Sequence, residues 1–105
     1  MNILFDEGVP WPLSRELSAH DCRTAQQLQW NRIKNGELLS LAEPQFDLFL
    51  TCDQNLRYQQ NLTGRSIAIL ELSTNKLRRL VSAAQLIRDT IASIKPGEFR
   101  RLEIP

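Results

Sequence analysis

The stretch "LFLTCDQNLRYQQNL", Leu48 to Leu62, decides the fold. Five apolar or small residues lead without a break into Asp53, and the chain then turns polar. A run without polar alternation is what a strand needs when both faces of its sheet are covered, as in parallel sheets. The same figure opens the chain: in "NILFDEG" the apolar residues Ile3–Phe5 stop at Asp6 and Glu7. A third apolar run, "SIAILEL", covers Ser66–Leu72. Each of the three predicts a buried strand.

Helix-period segments lie between and after them. Pro10, Pro12, Leu13 and Leu17 suggest a helix whose first turn tolerates proline. Asp21–Thr24 reads as a weak strand and residues 25–35 as irregular. Glu37–Glu43 reads as a short helix closed by Pro44, and the strand after it as Phe46–Thr51. From Lys76 to Ile94, the residues Leu77, Leu80, Val81, Ala84, Ile87, Ile91 and Ile94 recur at three and four. That spacing predicts one long helix, capped by Thr74 or Asn75 and ended by Pro96-Gly97. Phe99–Ile104 is a last strand, placed at an edge because Arg100 and Arg101 interrupt it. Strands alternating with helices predict an α/β fold with a mostly parallel sheet of about five strands and helices on both faces.

At 105 residues the chain fits one domain, 1–105. A net charge of +1 provides no global field for nucleic acid or membrane, so binding to either needs a local patch. No apolar run approaches a membrane span and no signal peptide is visible. Cys22 and Cys52 lack zinc spacing and read as buried free thiols of a reducing compartment, so a cytoplasmic protein is expected. The four glycines are scattered, which excludes a phosphate-cradling loop, and no serine sits in a nucleophile elbow. His20 stands alone and reads as a turn residue.

In open parallel sheets, ligands bind outside the carboxyl ends of the strands, where strand order reverses. Asp6 and Asp53 each follow such a strand, so the fold can bring them together although they are remote along the chain. Two carboxylates in one crevice favour a hard divalent cation, Mg²⁺ or Mn²⁺. The alternative is that each only closes a turn or caps a helix. A phospho-accepting receiver would need a lysine ending the fifth strand, but Lys95 precedes that strand.

"ILFDEGVP", "NGELLSLA" and "FLTCDQNLRYQQNL", together with "IAILEL" and the last helix, resemble a family of small bacterial PIN-like proteins related to PIN nucleases and VapC-type toxins. The resemblance implies a three-layer α/β/α sandwich, RNA cleavage with Mg²⁺ or Mn²⁺, and the toxin role in a toxin–antitoxin pair, with an antitoxin protein and a homodimer as partners. Asp6 matches the acid ending the first strand. Asp53 matches the acid of a T-x-D motif, and Thr51 its supporting hydroxyl. The middle motif has an aspartate where this chain has Asn35, which is a candidate metal ligand but also a candidate N-cap. The usual glutamate has no clear counterpart, and Glu7 and Glu37 are the candidates to replace it. Arg57, Tyr58, Thr51 and Asn55 are the substrate-binding candidates, with Asn61 and Arg65 in the same polar run: arginine pairs with phosphate and tyrosine stacks on an unpaired base. Trp30 reads as a packing anchor for its loop or as a stacking platform. Lys76, Arg78 and Arg79 read as a solvated face or an anion site. The alternative to an enzyme is a non-catalytic PIN-like module that binds RNA or a protein.

Overall fold

The computed structural model describes residues 1–56, 62 and 64–105. Their elements are β1 (Asn2–Phe5), a 3-10 helix (Trp11–Leu17), β2 (Asp21–Thr24), α1 (Asn35–Ala42), β3 (Leu48–Thr51), β4 (Ala68–Leu72), α2 (Leu77–Ser82), α3 (Ala84–Ser93) and β5 (Phe99–Leu102). All neighbouring strands pair in parallel, in the order β2-β1-β3-β4-β5. The chain therefore winds outward from β1 to β2, passes back over β1 to β3, and continues outward on the other side. The reversal lies between β1 and β3.

The three central strands carry the apolar runs, and their residues after Asn2 are all buried. Successive side chains point to opposite faces. Ile3, Phe5, Leu48, Leu50, Leu70 and Leu72 therefore meet the 3-10 helix, α2 and α3 through Leu13, Leu17, Leu80, Ile87 and Ile91. Leu4, Phe49 and Ile69 meet α1 and its flanks through Leu38, Leu39, Ala42 and Phe46. The result is an α/β fold with a layer on each face of a parallel sheet. The edge strands β2 and β5 are only half-buried and carry Asp21, Arg23, Arg100 and Arg101, charges that discourage further strand pairing. The expected edge position of Phe99–Ile104 thus holds, with the strand stopping at Leu102. No helix among the described residues is long and apolar enough to cross a membrane.

Two expected helices differ. The segment after Pro10 forms a 3-10 helix, with proline in its first turn. It is short, and Pro10 and Pro12 have no N–H to donate. The stripe from Lys76 to Ile94 is two helices, not one. At Ala83 the backbone leaves helical geometry (φ −100°, ψ 17°), and its N–H is shared among the carbonyls of Arg79, Leu80 and Val81. Val81, expected on the apolar stripe, is 40% exposed. No glycine or proline marks the break, so hydrophobic spacing alone did not signal it.

Arg65 is a structural residue. Its guanidinium donates to Glu43 Oε1 (2.8 Å), Ser40 Oγ (3.3 Å) and the Gly36 carbonyl (3.2 Å), tying both ends of α1 to the approach to β4. This bond holds the Glu43 carboxyl below its usual range. A phosphate role for Arg65 is thereby replaced by an internal one. The Arg65 carbonyl also lies against the turn before β5, where Pro96 and Gly97 follow Lys95 and Glu98 N–H donates back to the Lys95 carbonyl (3.0 Å). Gly97 has φ +76°, and a Cβ there would stand 2.7 Å from the Arg65 oxygen. Gly64 has φ +82° with open space around it. Chemical denaturation should therefore separate two substitutions of the same kind. Gly64→Ala should cost about 1 kcal/mol for the left-handed backbone alone. Gly97→Ala should cost roughly 3 kcal/mol, because backbone must also move.

Candidate functional site

β1 and β3 are paired with Phe5 opposite Leu50, and the ladder runs one residue further through Asp6 N–H to the Leu50 carbonyl (2.9 Å). Asp6 therefore arrives level with Thr51. The Thr51 hydroxyl donates to Asp6 Oδ2 (2.8 Å) and accepts the Asp53 backbone N–H (3.0 Å). Thr51 is wholly buried, so its one hydroxyl joins the two acidic segments from inside. It acts as a positioning group with no surface for substrate, which corrects its place among the substrate-binding candidates.

Each carboxylate is further fixed. Asp6 Oδ1 accepts the Glu7 N–H (2.9 Å). Asp53 Oδ1 accepts the Asn55 N–H (2.9 Å), and Asp53 Oδ2 accepts the Asn35 side-chain amide (3.3 Å). Asn35 is the first residue of α1, whose N-cap is Lys34, with no side-chain cap bond. The capping reading of Asn35 therefore fails: its amide turns to Asp53 instead. Burial raises the Asp6 pKa above 3.8. The Thr51 and Glu7 hydrogen bonds oppose this shift, and the Asp53 charge adds to it. Asp6 thus senses the Asp53 charge, as the smallest of these influences, at the point where strand order reverses.

The remaining candidates are placed as follows. Glu7 and Glu37 are exposed. Among the described residues no three His, Cys, Asp or Glu side chains form a metal-holding group, so neither glutamate completes a triad with Asp6 and Asp53. Asn55 contributes its backbone to Asp53 and is exposed. Arg57, Tyr58 and Asn61 lie outside the described residues. Trp30 packs edge-on against Phe46 (centroids 6.3 Å, 77°) and anchors its loop. His20 closes a turn, its N–H donating to the Leu17 carbonyl (3.0 Å). Arg79 grips the carbonyls of Ile104 (2.7 Å) and Pro105 (3.1 Å). Both thiols are free and half-buried.

Glu71 went unnoticed in the sequence. It is fully buried in β4, opposite Thr51 on one side and Arg101 on the other. Alternation places it on the α1 face with Thr51, since Phe49 and Ile69 point there. One carboxylate oxygen is ion-paired with Arg101, which also binds Glu103 (2.7 Å). The other oxygen has no partner among the described residues. The available signal was a single charge inside an apolar strand, because central strands rarely bury a carboxylate without a cation beside it.

Comparison with protein-family models, curated proteins and solved structures finds no match to this chain.

Two outcomes are expected. Because the native Asp6 pKa is raised, the native state holds that proton to higher pH than the unfolded chain, so ionised Asp6 costs stability above its native pKa. In chelator, Asp6→Asn should therefore melt above wild type at neutral pH. The difference should shrink as pH falls through the native pKa and vanish below about 3.8, where both states are protonated. Separately, Arg101→Ala should lower the melting temperature by stranding the Glu71 charge. Adding Glu71→Leu should restore it, since an apolar side chain removes the buried charge altogether.

Proposed function

We propose that this chain is a divalent-cation-dependent ribonuclease of PIN-like type, acting on RNA in the cytoplasm. The observation that carries the reading is the Thr51 hydroxyl, which clasps Asp6 and the backbone of Asp53 at the reversal between β1 and β3. A pair of coupled carboxylates is the donor chemistry that Mg²⁺ and Mn²⁺ accept, with water and phosphate oxygens filling the other positions. When bound, such an ion makes a bound water more acidic and neutralises charge on a phosphodiester.

The chain's own groups have separate tasks in this reading. Asp6 and Asp53 hold the ion, and the repulsion between them is relieved when they do. Thr51 fixes the spacing of the two acids, and Asn35 with the Asn55 N–H fixes the rotation of the Asp53 carboxylate. Arg57 steadies the phosphate. The toxin setting, with an antitoxin partner and a homodimer, rests on the resemblance alone.

A second reading has its own support. No third acid joins Asp6 and Asp53 among the described residues, and an amide stands at Asn35, so the charge available to offset a cation is small. That favours a module that binds RNA or protein without cutting it. Single-stranded RNA incubated with the protein and Mn²⁺ separates the two. In the nuclease reading, wild type cleaves, and both Asp6→Ala and Asp53→Asn lower the rate by roughly 100-fold or more. Calorimetric titration with Mn²⁺ shows a heat that Asp53→Asn loses. Absence of cleavage by wild type leaves the binding module standing, and cleavage that survives Asp6→Ala rules out this active site.

A further inference from the structure

Asp6 borders a cavity of about 490 Å³ whose other walls include Glu7, Val9, Trp11, Gln26 and Asn31. Its size falls within the roughly 300–1,000 Å³ of small-ligand sites. Trp11 opens the 3-10 helix and stands edge-on to the buried Phe5 ring (centroids 5.5 Å, 69°). The indole is held in place from below and is still 40% exposed. Gln26 and Asn31 are exposed as well, on the loop that Trp30 anchors across from Trp11. Among the described residues that line it, none is a lysine or arginine.

We propose that this cavity is a docking site for one unpaired nucleobase of a single-stranded polynucleotide, with Trp11 as the stacking platform. The claim rests on the ribonuclease reading for the adjoining Asp6, and it identifies the substrate as single-stranded. An exposed, pre-oriented indole offers the flat apolar surface that a base covers when it leaves its own stack. Primary amides carry a donor and an acceptor together, the pairing needed for the edge of a base. A phosphate as the primary ligand is disfavoured because the described wall carries two carboxylates and no cation. Recognition is therefore through the base, with the sugar–phosphate chain passing on toward Asp6.

The test uses the full chain carrying Asp53→Asn, so that no strand is cut. Anisotropy of end-labelled homopolymers, ribo and deoxyribo, single-stranded and duplex, reads the affinity. Saturable binding of single strands is expected, with duplexes weaker and only a shallow salt dependence, since few phosphates are neutralised. Trp11→Ala should weaken binding roughly 10-fold. Trp11→Phe should retain most of it, and Gln26→Ala with Asn31→Ala should change the preference among bases. The ribo and deoxyribo arms show whether the sugar is read. No saturable binding to any single strand overturns the proposal. So does undiminished binding by Trp11→Ala with a native circular-dichroism spectrum, or by the amide double variant together with Trp11→Phe losing as much as Trp11→Ala. Failure here is distinct from failure of the nuclease. Trp11-dependent binding without Mn²⁺-dependent cleavage by the parent chain removes only the chemistry, and cleavage unaffected by Trp11→Ala removes only the base site.

Discussion

The pairing of β1 with β3 is the constraint on which the rest depends. Both strands are buried on both faces, so their polar groups can emerge only past the last apolar residue. The register is set by Phe5 against Leu50, and one more hydrogen bond brings Asp6 level with Thr51. A slip by one residue would turn Ile3 and Phe5 to the α1 side and send the Asp6 carboxylate to the other face. Hydrophobic packing therefore sets how far each strand carries its acid, and the Thr51 hydroxyl then fixes the spacing between them.

The fold was legible because its signals are strong and local. Three uninterrupted apolar runs and two flanking charged strands are sufficient for a parallel sheet with protected edges. The expectation for Asp6 and Asp53 draws on the same logic, and the Thr51 hydroxyl, bonded to the Asp6 carboxylate and the Asp53 N–H, joins the two segments where the order reverses. Other features depend on long-range geometry that spacing does not encode. Leu77 to Ile94 keeps an unbroken three-and-four rhythm through Ala83, yet the backbone bends there. Asn35 has the residue type of a cap, but it is the first helical residue and its amide donates to Asp53. Arg65 reads as a free cation until the fold brings Glu43 and the Gly36 carbonyl to it. Glu71 disappears among isoleucine and leucine, and its meaning appears only when β5 sets Arg101 beside it.

The acidic end of the sheet is arranged against the interest of stability. Asp6 is half-covered and sits near another carboxylate, and Glu71 lies one strand further along with a single cation beside it. Substitution by neutral or apolar groups would relieve each of these. Local conflict of this kind collects at sites kept for a task, where the surrounding core overrides it. At the opposite end of the sheet a carboxylate is met by a backbone donor. There Asp47 accepts the Asn2 N–H (2.7 Å), and Asn2 donates its side-chain amide to the Gln45 carbonyl (3.3 Å).

Cys52 sits between Thr51 and Asp53 in sequence, with its sulfur turned away to the Thr74 carbonyl (3.2 Å). Burial, with help from Asp6 and Glu71, pushes this thiol up to about 11. At neutral pH it is almost entirely in the unreactive S–H form. Peroxide and electrophilic stress attack the thiolate, so burial first, and the Asp6 and Glu71 charges second, make this residue a poor target for them. Asp6, one of the acids that would serve chemistry on a nucleic acid, thus also adds to the burial that keeps this thiol unreactive.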